Sequence, residues 1–587
     1  MNDPKPNSEP ADPENAASGS RMHFLRQVFR LVGPYWNCKH CFKARGAMLS
    51  LLLLTMAQVG LTVWVNYWNR ALFDALEQHS VRGVLLMVAV FALIFVITII
   101  VTAVHLLVKR WLMIDWRAWL TEQLLGSWME SGRHYRLLFS HADLDNPDQR
   151  IAEDIHIATE VAIALGHSLV YSLMTLGLFI DILWSVSGTV AVPGTHFLVK
   201  GYMVPLAFIY AALGSSIGWM VGRPLVRATN ALQAAEATFR FGLSMARENT
   251  EAIALMHGEP MERVRASTLF AQIIRSWNRQ SLAYMGLVSF GAGYGTLLPV
   301  FPILIAAPQY IQGVMSLGVL MQAAQAFQRL TSALSWPVDN LGDIARCRAS
   351  ADRVLSLYES MQQMDADTQK AENSRIAIDR LDRSHLIVED LCIARPSGGF
   401  LLEHFSIDIR HGERVLITGD PEVTGSFFKV ISGLWPWGSG RVRLPSDDNM
   451  LFVVQRPFLP EGDLRETLCY PQSPKAFPAS VLRHALECAG VAWLASRLDE
   501  KNNWGHVLPL PAQQRLSLAR ALLQRPAWVF LEEATDAFDS KGEQLLLEML
   551  YREMPNAAVL NISFHPGLKH LHNRTLVLKR VAATTAS

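Results

Sequence analysis

Residues 419–426 read G-D-P-E-V-T-G-S, with the spacing of a phosphate-binding loop, G-x-x-x-x-G-K-[ST]. In such a loop backbone N–H groups cradle phosphate oxygens, a Lys reaches the terminal phosphates, and a Ser or Thr hydroxyl holds Mg²⁺. Gly419 opens the pattern and Ser426 stands at the hydroxyl position. Gly425 occupies the Lys position, and Pro421 has no N–H to offer. The outline of a nucleotide site is present, while part of its chemistry is missing.

A phosphate loop needs a strand before it and a helix after it. Short strand-like runs, LIVEDLCIA, RVLITG, WVFLEE and AVLNISF, alternate with helical stretches from residue 386 onward, which is an α/β pattern. Residues 361–385 are polar and charged and read as a linker, so the expected α/β domain spans 386–581. Upstream the composition changes. Half of the 587 residues are hydrophobic and 18% are charged, the average of a membrane part joined to a soluble part. A net charge of +1 argues against a nucleic-acid partner. Residues 1–21 lack an apolar core and read as a disordered tail rather than a signal peptide.

Apolar windows long enough to cross a bilayer fall at 46–66, 83–107, 161–184, 200–221 and 283–307. A weaker sixth, 311–334, carries Gln312, Gln322 and Gln325, which suit either a transport pathway or packing between helices. The expected outer loops hold only Arg70, Arg82 and Lys200, while the inner segments are rich in Lys and Arg. Six spans over 22–360, with both termini in the cytoplasm, satisfy that asymmetry. Titratable groups inside the spans are Asp181, His167 and His105, and the sequence links none of them into a relay. Cys38 and Cys41 form a lone C-x-x-C around His40 without a second ligand pair, so no metal site is expected there. The other four cysteines, Cys347, Cys392, Cys469 and Cys488, read as buried structural thiols.

The segments LFVVQRPFLPEGDLRETLCYP, WVFLEEATDAFD and NISFHP follow the loop in the order found in ATP-binding cassettes, and the chain resembles one. The resemblance implies that Gln455 senses Mg²⁺ and touches the membrane domain, and that Glu533 is the general base activating the attacking water. It places Glu532 where an Asp normally organises Mg²⁺, with one extra methylene. Asp539 closes the D-loop, and His565 is the switch histidine that contacts the γ-phosphate. The stretch 508–515, L-P-L-P-A-Q-Q-R, departs from the family's L-S-L-G-E-Q-Q-R, with prolines in place of the Ser and the Gly. Each lost donor of oxyanion type typically costs about 10²–10³ in rate, so efficient hydrolysis is not expected; ATP and Mg²⁺ remain candidate ligands, with binding expected to be weak or absent.

Over residues 22–580 the chain is similar to ABC transporters with an SbmA/BacA-type membrane domain, bacterial relatives of the subfamily D fatty-acyl transporters. The similarity rests on NYWNRALFDAL, IDWRAWLTEQLL, DNPDQRIAEDI, GRPLVRATNALQAAEATFRF, RENTEAIALMHGE and LSWPVDNLGDIARCRASADR, and on GLWPWGSGRV in the cassette. It implies an all-α six-helix ABC-exporter-like domain followed by an α/β P-loop NTPase-like cassette, assembled as a homodimer or a heterodimer in a bacterial inner membrane. The expected function is transport of a peptide-like or bulky amphipathic substrate, with impaired or absent ATP hydrolysis in the chain's own cassette. Drive would come from a competent partner subunit, weak residual ATP use or the proton gradient. A fully ATP-driven transporter, and a non-transporting membrane protein with a regulatory cassette, are the alternatives.

Overall fold

The long apolar runs and the α/β alternation condense into separate compact units. The computed structural model describes residues 33–36, 41–139, 146–191, 198–370, 375–381, 385–396, 398–445 and 450–581. The expected tail 1–21 and the Cys38–His40 part of the C-x-x-C lie outside them. One unit comprises Met1–Leu125 and Asp145–Tyr358; the other comprises Gly126–Leu144 and Glu359–Ser587. The structure thus groups 126–144, expected within the membrane domain, with the C-terminal unit.

The first unit is a bundle of long helices: α1 (Cys41–Glu77), α2 (Val81–Met129), α3 (Ile155–Val186), α4 (Met203–Glu248), α5 (Glu259–Ile311), α6 (Leu317–Asp339) and α7 (Leu341–Lys370). An antiparallel hairpin, β1 (Thr189–Ala191) and β2 (Leu198–Lys200), joins α3 to α4. Among the described residues, five helices are long and apolar enough to cross a membrane; four contain the expected windows whole, and the fourth, starting at Met203, contains 200–221 but for its first three residues. The sixth, α6, is not among these five.

The reason is visible in its contacts. Gln322 Nε2 donates to Asn66 Oδ1 at 3.1 Å, and Asn66 Nδ2 donates to Gln325 Oε1 at 2.9 Å. The polar residues that dilute α6 bind it to α1, so Gln322 and Gln325 serve packing. Without a hydrophobic drive between helices in lipid, small residues and such hydrogen bonds hold a bundle together. At the start of α6, Asp74 Oδ1 accepts from Ser316 Oγ at 2.5 Å and from the Gly318 N–H at 3.1 Å. A Cβ at Gly318 would lie 2.3 Å from the Arg70 carbonyl, so only glycine lets the two helices meet there. Phe179, Leu183, Met203, Ala207, Phe327 and Leu330 fill the space between α3, α4 and α6.

In the second unit a parallel sheet runs in the order β13 (Arg574–Leu578), β6 (Arg414–Gly419), β12 (Ala558–Ile562), β11 (Trp528–Glu532) and β8 (Met450–Val454). A second sheet has the order β3 (Ala377–Leu381), β7 (Gly438–Pro445), β4 (His385–Ala394) and β5 (Phe400–Arg410). A short antiparallel ribbon pairs β9 (Gly462–Asp463) with β10 (Lys501–Asn502). The central strand β11, WVFLE, is buried until its last residue, as a strand covered on both faces must be. The expected linker 361–385 is partly regular, because α7 continues to Lys370 and β3 pairs with β7. The same unit contains the helices α8 (Pro421–Ile431), α9 (Leu464–Cys469), α10 (Ala479–Cys488) and α11 (Leu510–Gln524). Another, α12 (Ser540–Glu553), covers the sheet. Helix α8 buries Val423, Phe427, Val430 and Ile431, the i, i+4, i+7, i+8 stripe of a helix with one apolar face. Phe139 packs edge-on against Trp435 and Trp437, with ring centroids 5.5 and 5.3 Å away, which ties 126–139 to this unit.

Candidate nucleotide site

The carboxyl ends of β6, β12 and β11 point at two corners. At the first, β6 stops at Gly419, whose φ of +133° and closeness to the Leu578 carbonyl admit no side chain. A phosphate loop would now wind through several residues before its helix. Here α8 starts at Pro421, the second residue after the strand. Asp420 caps it, its Oδ1 accepting from the N–H groups of Glu422 at 2.9 Å and Val423 at 3.4 Å. The Thr424 N–H already donates to the Asp420 carbonyl at 3.0 Å. Asp is a preferred cap and proline is favoured in the first turn, so the sequence D-P-E is a helix start by its own chemistry. The N–H groups that could have met an anion are held inside the chain.

Glu422 adds negative charge at the same end and pairs with Arg395 through two 2.6 Å hydrogen bonds. The Arg395 guanidinium holds the Glu422 carboxyl below its ordinary range. Gly425, at the Lys position, lies against β11: a Cβ there would be 3.2 Å from Glu532 Oε1. Burial pushes the Glu532 carboxyl up, and the ammonium of Lys429 opposes that shift. Lys429 lies one helical turn beyond Gly425, with its ammonium 5.7 Å from the centre of the Trp435 ring. Ser426 is buried in α8.

The second corner is a closed polar cluster. Gln455 Nε2 donates to Glu533 Oε2 at 3.2 Å and to Asp536 Oδ2 at 2.5 Å. Gln514 Nε2 donates to the Gln455 carbonyl at 2.9 Å and to Asp536 Oδ1 at 2.6 Å, while its Oε1 accepts from the Ala537 N–H at 3.2 Å. Glu533 is held at a φ of +48° with its N–H on the Ile562 carbonyl at 3.0 Å. A non-glycine residue in this left-handed region costs about 1–3 kcal/mol and persists where its surroundings over-determine it. Burial, then the neighbouring Asp536, push the Glu533 carboxyl up. His565 turns its Nδ1 to Glu543, a carboxylate only 1% exposed. Glu543 also accepts from Thr535 Oγ1 at 2.8 Å and Ser563 Oγ at 3.1 Å. Asp539 caps α12, accepting from the Gly542 N–H at 2.9 Å.

The structure therefore brings Gln455 and Glu533 together, sets Glu532 beside Gly425, and seats His565 on a partner the sequence did not single out. Glu543, Asp536 and Gln514 were missed because each reads alone as a helix or loop surface residue. At 508–515, α11 begins at Leu510 with Pro509 as its cap residue and Pro511 in its first turn, and no side chain caps it. In the first unit the rings of His105 and His167 lie 4.3 Å apart and Asp181 is exposed.

Comparisons with known proteins agree with this architecture. The model for the ABC transporter transmembrane region 2 matches residues 31–294. The inner membrane ABC transporter ATP-binding protein YddA of Escherichia coli is 30% identical over 550 residues, 92% of this chain and 95% of that protein. The lysosomal cobalamin transporter ABCD4 of Homo sapiens is 25% identical, with 97% of each chain covered. ABC transporter D family member 2, chloroplastic, of Arabidopsis thaliana is also 25% identical, over 94% of this chain and 85% of that one. The structure of a bacterial Atm1-family ABC exporter with ATP bound shares the fold, with a TM-score of 0.69 over 92% of this chain and 94% of the other, at 14% identity. A bundle of spanning helices followed by an α/β unit, and relatives along nearly the whole length, lead to one conclusion: the chain belongs to the ABC transporters and is a multi-pass membrane protein related to subfamily D.

Proposed function

We propose that this ABC transporter works with a degenerate cassette, one that hydrolyses ATP poorly or not at all. The observation that carries the reading is the start of α8 at Pro421, capped by Asp420. With the helix drawn up to the strand, no run of free N–H groups is left to surround a β-phosphate, and a carboxylate stands at the entrance. Gly425 supplies no ammonium, and the prolines at 509 and 511 supply no N–H at the start of α11. The residues at this corner do not fit a triphosphate. Glu533, Gln455 and His565 keep the residue types of a general base, a glutamine loop and a switch, with Glu532 and Asp539 beside them, and they hydrogen-bond one another or nearby side chains instead.

The chain would act as one half of a homodimer or heterodimer, six spans per subunit with α6 as the sixth, an SbmA/BacA-type membrane domain and both termini in the cytoplasm. A bacterial inner membrane fits the relationship to YddA. A peptide-like or bulky amphipathic substrate fits relatives that include a cobalamin transporter. The test is hydrolysis by purified protein beside a Glu533→Gln control. Equal rates are expected; a rate that depends on Glu533 would show a working engine and refute the reading.

A further inference from the structure

Outside the nucleotide corners, His484, Cys488 and Glu553 present ligating atoms that all lie within 4.8 Å of one another. His484 and Cys488 are one turn apart on the same face of α10, and Glu553 is the last residue of α12. We propose that these side chains form a site for a zinc-like divalent cation, with solvent in the fourth position. Imidazole, thiolate and carboxylate are the donors such an ion takes in four-coordinate geometry, at about 2.0–2.3 Å. Those bond lengths set ligand atoms roughly 3.5 Å apart around a tetrahedral centre. Cys488 Sγ and His484 Nε2 are already 3.6 Å apart. The third ligand atom, a carboxylate oxygen of Glu553, lies within 4.8 Å of both, and Glu553 Oε1 also pairs with Arg552 Nε at 3.3 Å. His484 is exposed, so an ion has an entry path. Binding replaces the S–H bond of Cys488 by a sulfur–metal bond and releases the proton to solvent, with no change of oxidation state.

The position gives the site a purpose. Helix α10 belongs to the apolar cluster of Leu464, Leu482, Leu486, Trp504 and Leu516, and its Cys488 also packs against the cluster that α12 forms through Leu546, Leu547 and Leu550 on β11 and β12. A metal bridging Cys488 to Glu553 staples the helical layer to the sheet layer. The inference stands whether or not the cassette hydrolyses ATP.

The experiment is a titration of the full-length protein in detergent with Co²⁺, in a Cys38→Ser/Cys41→Ser background, followed by the near-ultraviolet thiolate-to-cobalt absorption. One ion per chain is expected, displaced by Zn²⁺, with the band lost in Cys488→Ser. His484→Ala and Glu553→Gln should weaken binding at least ~tenfold, the loss that even outer-sphere changes reach. No band, a band that survives Cys488→Ser, or a band untouched by both other substitutions would overturn the assignment. Should Cys488→Ser fail to fold, Zn²⁺ protection of Cys488 from alkylation in the otherwise unaltered chain decides: protection supports the site, and full reactivity overturns it.

Discussion

The two corners at the ends of β6, β12 and β11 share a sheet and are built in opposite ways. The carboxylate corner keeps its residue types and turns them on one another: Gln455 on Glu533 and Asp536, and His565 on Glu543. The phosphate corner has the strand–helix frame, and its helix starts at Pro421 behind the Asp420 cap. The difference separates two demands on one sequence. The apolar stripe of α8 and the buried run of β11 fix the fold and do not depend on whether phosphate ever binds. A loop of free N–H groups is expensive for a chain to keep, since unpaired backbone donors seek partners. Asp420 satisfies such donors here by accepting from the N–H groups of Glu422 and Val423.

Four substitutions can break or sharpen that contrast. The largest effect is expected from Phe427→Ala, which empties a fully buried site behind α8 and should cost about 3–5 kcal/mol in unfolding of the cassette. Glu543→Ala strands the donors of Thr535, Ser563 and His565 and should cost about 3 kcal/mol by the same measurement. A loss as small as that of a surface residue would mean that the carboxylate corner is not a closed network. Asp420→Ala removes the cap and should cost about 1 kcal/mol, read as a lower thermal midpoint. If it stabilised the protein instead, the self-capped corner would be a strained feature kept for function.

The smallest effect is a slope. Glu532 and Glu533 both titrate higher folded than unfolded, chiefly through burial, so the folded chain holds more protons just above the ordinary carboxylate range. Stability from this source is full below that range and falls as pH rises through the raised folded values. Glu532→Gln should flatten the decline in melting temperature; a steeper decline would contradict the assigned burial.

Much of this was legible in advance, and the exceptions have local causes. The first five spans announce themselves by uninterrupted apolar windows, while α6 hides because its glutamines bond Asn66. The order of Gln455, Glu533 and His565 along the chain marks the cassette. Asp420-Pro421-Glu422 carried a helix-start signal that the loop pattern over the same residues masked. Glu543 and Gln514 could not be singled out, since their partners Thr535, Ser563 and Asp536 come together only once β11, β12 and α12 have packed.

The most direct test of the closed phosphate corner is equilibrium binding of MgATP to the purified protein, unaltered and as the double variant Asp420→Gly/Gly425→Lys. The account predicts no saturable binding by the unaltered chain at millimolar nucleotide, and measurable binding once the cap is removed and the ammonium supplied. Tight binding by the unaltered chain would contradict it.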